Sequence, residues 1–485
     1  MLFAAYPSVV VYKSPGDKSK GNAVTHLIWG DWVKELGPRE GDWVKVYARR
    51  KIGWTHRKDL QENQLLELDF VDIGQGDSCL VTTPEGRRFL VDAGEGDNLY
   101  RFLRWRFDRF KEPLVLESAI ISHPDKDHFG GLRPLVDEKK ISFGTVFHNG
   151  IVERSGRNSF GTVIKQGKTK YLADVVVDRQ QLLGILDDPE KRGKKVYANL
   201  LKKALDTGRV GDIRMLCSED GFVPGYEQGK ALTIQVLGPV PEKGPRGERL
   251  LRVFGTESQT VNGHSVILRL CYGHVVIMLG GDLNVPSEKY LLSHYTGLDP
   301  DATTAEEEEQ LISFARRIFE SDIAKACHHG SADLCERYLQ AVNSMATVIS
   351  SGDNESYSHP RPDALGAIGK YGRGKRPLIF STELARSAKE IIKHPYLFRQ
   401  EIRDLAKQLD LAETESDKEA IRKKLEKKMA QLERSIAVYG MINVRTDGEK
   451  AIVAQKLERP RSNAEKWDIY ELEPGPDGRL AYTGN

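Results

Sequence analysis

Within the run SAIISHPDKDHFGGL (118–132), four residues able to bind a metal, His123, Asp125, Asp127 and His128, crowd into six positions behind an apolar stretch. A solvated loop rarely needs two carboxylates and two imidazoles so close together. His123 and Asp125 alternate along an extended segment, so both side chains can point to one side. Asp127 and His128 follow where the chain turns at Gly130 and Gly131 and can face a second point nearby. Imidazole with carboxylate suits Zn²⁺, Mn²⁺ or iron, and two metals about 3.5–4 Å apart form a standard hydrolytic pair. One motif cannot complete two coordination shells. The further donors the sequence offers close two later strand-like runs: Asp282 after VVIMLGG and His328-His329 after IAKAC.

The elements that must position these residues begin at Leu65. LLELDFVDIGQGDSCLVTTPEGRRFLVDAG reads as three strands with Gly-rich turns, and a helical segment, NLYRFLRWRFDRFK, follows. The apolar run VLESAIIS then feeds the opening motif. Later strands are expected at 231–239, 265–282, 323–331, 346–353 and 376–382. Strands alternating with helices predict a layered α/β domain with active groups at strand ends. Two segments look inserted. Residues 151–228 are charged and partly helical. Residues 384–437 place Phe398, Ile402, Leu405 and Leu409, then Ile421, Leu425, Met429, Leu432 and Ile436, at spacings of three and four. That is a helical hairpin turning near 412–417, suited to packing or oligomerisation. After it, YGMINVRTDGEKAIVAQ returns to strand, turn, strand.

Residues 1–62 differ in character, with short β-rich runs broken by Gly, Pro and Asp, which suggests a small barrel. Trp29, Trp32 and Trp43 either line a peptide-binding groove or form the core of that barrel.

Composition narrows the class. The 485 residues allow two to four domains, and 39% are apolar, with a mean hydropathy of -0.46. The 72 basic and 70 acidic residues nearly cancel, so no global field draws in a polyanion. Local runs at 101–111 and 191–195 are the candidate contacts. Five scattered cysteines without a CxxC argue for a reducing compartment. No signal peptide and no membrane-length apolar stretch is evident, so a cytoplasmic location is expected.

Seven motifs in order, DIGQGDSCLV, LVDAG, ISHPDKDHFGGL, HSVILRL, LGGDL, KACHHGS and HPRPDAL, resemble the metallo-β-lactamase fold. Within it they resemble the soluble domain of the bacterial DNA-uptake channel ComEC and its stand-alone relatives. The match spans about 65–385 and resumes at 437–455. The ending GDWVKV…IGWTHRKDL over residues 3–60 resembles bacterial SH3-like domains. The resemblance implies an αββα sandwich over 63–485, carrying the two insertions, behind an SH3-like barrel over 1–62. It makes His123 and Asp125 ligands of a first metal, Asp127 and His128 ligands of a second, Asp282 the bridge, and His328 the completion of the second site. Asp125 stands where many fold members have His, which shifts preference from Zn²⁺ toward Mn²⁺ or Mg²⁺. The third ligand of the first site has no clear counterpart. His148 is the best candidate, His264 the weaker, and His148 could equally be an ordinary loop histidine. Asp92 more often holds the ligand loop than touches metal in this fold. His329 and Ser331 are candidates for orienting or substrate contact, and His359 for contact with substrate or leaving group. Lys325 could neutralise a phosphate if its register faces the site.

The leading functional reading is a metal-dependent phosphodiesterase or nuclease using two divalent ions, with Asp127 orienting the nucleophile and His359 or Lys325 assisting the departing oxygen. Two alternatives stand: an enzyme of the same fold acting on a cyclic nucleotide, thioester or lactam, and an interaction protein recruiting a partner through the barrel and hairpin. DNA, a protein partner and self-association are the partners considered, and no membrane.

Overall fold

The computed structural model describes residues 1–351, 358–382, 395–437, 440–457, 460–482 and 484. Residues 384–394, the expected start of the hairpin, lie outside them, as does most of the loop before His359.

Two large sheets dominate. The first has ten strands, and its centre is Leu66–Phe70, Cys79–Thr82, Arg88–Val91 and Leu114–Ile120. Arg88–Val91, Leu114–Ile120, Ile141–His148 and the edge strand Val210–Met215 run parallel in sequence. The second sheet has six strands, of which Val275–Leu279, Ile323–Lys325, Ala346–Ile349 and Leu378–Ser381 are parallel.

Alternation along the strands explains why the sheets stack. Leu66, Leu68 and Phe70 share one buried cluster with Leu268, Leu270, Ile277 and Leu279 of the other sheet. The opposite faces are apolar too. Leu116, Phe143 and Ile213 pack under Phe102, Leu135, Leu182 and Leu201 from helices Asn98–Arg106, Leu132–Asp137, Arg179–Leu186 and Val196–Asp206. Ile267, Met278 and Ala324 pack under Leu291, Leu311 and Tyr338 from helices Val285–Thr296, Ala305–Phe319 and Glu336–Val342. A sheet with two apolar faces must be covered on both, and the result is four layers, helix–sheet–sheet–helix.

The segment 151–228 is less of an insertion than its charge suggests. Its helices bury Tyr197, Leu200 and Leu201 in the main core, and Val210–Met215 is an edge strand of the ten-stranded sheet. A second part, Val163–Gln166 and Thr169–Leu172, joins a separate four-stranded sheet.

The helical hairpin comprises Pro395–Leu411 and Glu415–Ala437, with Thr414 capping the second helix through the Asp417 amide. Phe398 is buried, and Lys428 lies over its ring. The second helix leans on Asn98–Arg106, where Arg109 pairs with Glu426 at 3.7 Å. The chain then enters strand Ile442–Thr446, which pairs directly with Leu66–Phe70.

Residues 2–61 form a seven-stranded antiparallel sheet around Val9, Val11, Leu27, Val44 and Val46. Trp29 is not in a groove. It is 2% exposed, among Leu65, Ile452 and Trp467 of the larger unit. Trp43 meets Tyr12 and His56 edge-on, and Trp32 is 39% exposed. Buried Arg445 ties the two units: it donates to Trp29 O at 2.6 Å, Asp31 Oδ1 at 2.9 Å and Glu67 Oε1 at 2.8 Å. Burial alone would raise the Asp31 carboxyl, but Arg49 and Arg445 hold it at about 2.

All five cysteines are free thiols. Among the described residues no helix is long and apolar enough to cross a membrane.

Candidate metal centre

Parallel strands deliver their carboxyl-terminal ends to the same edge of a sheet, and both sheets do so here. Arg88–Val91 leads into Asp92, Leu114–Ile120 into Ser122 and His123, Val275–Leu279 into Asp282, and Ile323–Lys325 into His328 and His329. The donors therefore meet across the interface between the sheets.

The opening motif folds as an extended stretch ending in a short helix, Lys126–Phe129, with Asp125 at its amino-terminal cap position. Two glycines make the loop possible. A Cβ on Gly131 would stand 1.9 Å from Ala93 O, and one on Gly76, whose φ is +96°, would stand 1.7 Å from Asp127 O. Any side chain at either point would push the motif off the sheet edge.

Four groups of donors converge among the described residues, each with its ligand atoms within 4.8 Å of one another: His123, His128 and Asp282; Asp127, His128 and His329; Asp77, Asp282 and His329; Asp77, Asp92 and His128. Asp282 is central. Its Oδ2 lies 3.2 Å from His128 Nε2 and 3.1 Å from His329 Nε2. His329 Nε2 is 3.5 Å from Asp127 Oδ2, and His123 Nε2 is 3.7 Å from Asp125 Oδ2. The Nε2 atoms of His123, His128 and His329 are buried, and none has a well-formed hydrogen bond. Orphaned imidazole nitrogens facing carboxylates fit a bound cation. Burial opposes charging His128 and His329, yet the surrounding carboxylates, Asp282 foremost, push both well above the ordinary histidine range. Protons thus stand in where a divalent ion would.

The supporting contacts fix the rings. Asp92, held at a φ of +58°, accepts from Ser122 N and Oγ, both at 2.7 Å, and its Oδ2 stands 2.8 Å from His128 Nδ1. It meets His128 at Nδ1, the ring nitrogen opposite the one that faces Asp282, and a contact there orients the ring. Ser122 Oγ also lies 3.0 Å from His123 Nδ1. Ser265 Oγ lies 3.3 Å from that same nitrogen and accepts from Asp282 N at 3.0 Å.

Several residues stand elsewhere than expected. His328 is outside all the donor groups, and His329 is inside two of them. The turn Cys327–Gly330 puts both histidines in left-handed backbone conformation, with φ of 47° and 53°. The His329 ring is anchored inward, its Nδ1 lying 3.1 Å from Ser350 O and 3.2 Å from Asp77 Oδ1. His328 turns toward His359, ring centres 5.7 Å apart. The half-buried His359 ring is also 6.3 Å from that of His329. Ser331 closes this turn, donating its amide to His328 O at 2.8 Å while its Oγ accepts from Asp333 N.

His148 is buried at the end of its strand but belongs to none of the donor groups. Its Nδ1 accepts from Gly150 N at 3.0 Å, its Nε2 has no hydrogen bond, and burial lowers it to about 4. His264 belongs to none of the donor groups, and its Nε2 lies 2.7 Å from Arg252 O. Lys325 points into the protein. It is 6% exposed, paired with Asp77 and hydrogen-bonded to Gly281 O.

Asp77, Ser122 and Ser265 were missed by the sequence reading. Asp77 carried a signal, being the polar end of a Gly-x-Gly-Asp turn directly after a strand. The two serines sit inside quoted motifs but look like ordinary small polar residues.

The chain is similar to known proteins over part of its length. Residues 71–146 match the model of the Metallo-beta-lactamase superfamily. Over 323 residues the chain is 23% identical to ComE operon protein 3 of Bacillus subtilis (strain 168), covering 63% of this chain. The chain spans 31% of the length of that relative. Solved structures similar to it include Zn(2+)-bound PqqB from Methylobacterium extorquens, at 9% identity and TM-score 0.33, covering 65% of this chain and 97% of that one. A diphosphatase from the PhnP family is similar at 11% identity and TM-score 0.29, covering 64% and 96%. The match to the Metallo-beta-lactamase superfamily covers the stretch that carries Asp77, Asp92, His123, Asp125, Asp127 and His128, one side of the donor cluster.

Proposed function

We propose that this protein hydrolyses phosphodiesters with the help of two divalent ions, nucleic acid being the substrate class. The observation that carries the reading is the donor set. His123, His128 and His329 are joined by Asp77, Asp127 and Asp282, with Asp125 outside the donor groups but 3.7 Å from His123, a centre rich enough in carboxylate to favour harder ions such as Mn²⁺ beside Zn²⁺. Ions held there would supply Lewis acidity toward a phosphoryl oxygen and an acidified water. The ordered motifs, which resemble those of the soluble domain of the ComEC DNA-uptake family, support a nucleic-acid substrate.

The chain's own residues divide the remaining work. Burial would raise the Asp127 carboxyl, but contact with His329 and His128 holds it ionised, ready to orient a water or accept its proton. To His359, whose ring lies 5.7 Å from that of His328 and 6.3 Å from that of His329, we assign the gift of a proton to the departing oxygen. Lys325 is assigned no contact with substrate.

The test is hydrolysis by metal-stripped protein reconstituted with Mn²⁺ or Zn²⁺, on linear DNA, RNA, a cyclic nucleotide and bis-nitrophenyl phosphate. Ion-dependent cleavage of nucleic acid is expected. Turnover of the small ester without any cleavage of nucleic acid would favour a small-substrate hydrolase, and no hydrolysis with either ion would refute the proposal.

A further inference from the structure

The Lys325 side chain ends in a nest of oxygens. Its Nζ pairs with Asp77 Oδ2, donates to Gly281 O at 2.8 Å and lies 3.6 Å from Asp282 Oδ1. Lys325, Asp77 and Asp282 are 6%, 5% and 3% exposed. Asp77, Asp282 and His329 could themselves hold a metal ion, and Asp282 Oδ1 has no hydrogen-bond partner. The two oxygens of Asp282 therefore face different cations. Oδ2 faces the imidazoles of His128 and His329, and Oδ1 faces the ammonium.

We infer that Lys325 is a resident third cation of the metal centre, its ammonium filling an oxygen-lined cradle that would otherwise bind a hard metal ion. The inference rests on the metal-pair reading above. Charge gives it a reason. Asp77, Asp92, Asp125, Asp127 and Asp282 gather around the centre as carboxylates. An ion pair would bring four positive charges against their five negative ones, and the ammonium supplies the fifth. Buried carboxylate without a counter-ion is costly, so the cradle must be filled by something. A covalently tethered cation fills it at every metal concentration. It also fixes Asp77, whose Oδ1 stands 3.2 Å from His329 Nδ1, so the lysine acts on the ligand ring through that carboxylate. All three groups around Nζ are oxygens, which after removal of the lysine would suit Mg²⁺ or Mn²⁺ rather than a thiophilic ion. Lys325 is a positioning residue on this account.

The test uses the full chain as wild type, Lys325→Ala, and the double variant Asp77→Asn with Lys325→Ala. Each is stripped of metal and reconstituted with Mn²⁺ alone or Mg²⁺ alone. Ions retained per chain are counted by plasma mass spectrometry, and melting is followed across ion concentration. Lys325→Ala is expected to hold one ion more than wild type. Its metal-free melting temperature should fall and then recover as Mn²⁺ or Mg²⁺ is added. The double variant, which has lost the lysine and its Asp77 partner charge together, should return to the wild-type count. Equal counts and equal ion dependence in wild type and Lys325→Ala would overturn the inference and leave the metal pair standing. A wild type that retains no ion would instead sink the metal pair, and the difference in cation-dependent melting between the two chains would still decide the role of the lysine. If Lys325→Ala stays insoluble even with Mn²⁺, a soluble double variant supports the inference and an insoluble one overturns it.

Discussion

His329 Nε2 stands 3.1 Å from Asp282 Oδ2, while the ring of the neighbouring His328 lies outside the donor groups, 5.7 Å from that of His359. Adjacent histidines on one tight turn thus face different tasks. Asp282→Ala and His329→Ala should each cut ion-dependent hydrolysis on the order of 10³-fold or more, because each removes a group facing the proposed ions. Asp127→Ala should be comparably damaging. His359→Ala should cost roughly 10²-fold if it serves only the leaving oxygen, and His328→Ala should cost less than His329→Ala. Steady-state rates on bis-nitrophenyl phosphate check the order. A more damaging His328→Ala would return the ligand role to that residue.

Metal uptake should release protons at neutral pH. In the metal-free state the carboxylates hold His128 and His329 protonated well above the ordinary range, although burial acts against it. Ligation requires neutral imidazole, so affinity should rise with pH and each ring should give up about one proton on binding. Titrating Mn²⁺ into weakly buffered, metal-stripped protein and recording proton release measures this. No release at pH 7 would contradict it.

Glu288 offers a clean stability switch. Burial raises its carboxyl to about 8, and its Oε2 accepts from Cys335 N. The folded state therefore keeps a proton that the unfolded chain loses near pH 4.5. The native state binds more protons across that window, so stability falls as pH rises from about 4.5 to about 8. Glu288→Gln keeps the shape and the acceptor without the charge. It should leave stability unchanged near pH 4 and add roughly 2–4 kcal/mol near pH 8. Denaturant unfolding at both pH values decides it.

Arg445→Met should loosen the amino-terminal sheet from the sandwich. The substitution leaves the buried carboxylates of Asp31 and Glu67 without their shared cation. Breaking a buried pair in this way costs about 3–5 kcal/mol. Denaturant unfolding would show the loss, and limited proteolysis should show faster cutting near residues 62–65. An unchanged cutting pattern would mean that Trp29 and its apolar neighbours suffice.

Replacing residues 387–437 with a short Gly-Ser turn should leave the sandwich folded, since closing such a loop costs little extra entropy. The hairpin meets the remainder through the face of Asn98–Arg106 and pairs such as Arg109 with Glu426. Loss of a single cooperative melting transition would show that the hairpin belongs to the core.

The layered architecture was legible because it is written in alternation. Leu66, Leu68 and Phe70 announce a strand, and the spacing from Phe398 to Leu409 announces a helix. The opening motif was legible because four metal donors in six positions are rare. Choosing between His328 and His329 was beyond sequence, since it turns on two left-handed residues and on the anchor from Asp77 and Ser350. Lys325 was open for the same reason: strand register decides which way it points, and the partner that settles it, Asp77, lies some 250 positions away. Residues 151–228 misled by composition. Their exposed charges outnumber the few large side chains, Tyr197 and Leu201 among them, that anchor them to the sheet.

The centre draws Asp77, Asp92, His123, Asp127 and His128 from one sheet and Asp282 and His329 from the other. A slide of one sheet over the other by a single residue step, about 3.3 Å, would pull these groups out of reach. Ions bound between them would therefore act as rivets through the sandwich, adding stability that grows with the logarithm of free ion concentration. Scarcity of the ion would then shorten the life of the folded protein as well as slow its chemistry, and a chelator would behave as a mild denaturant.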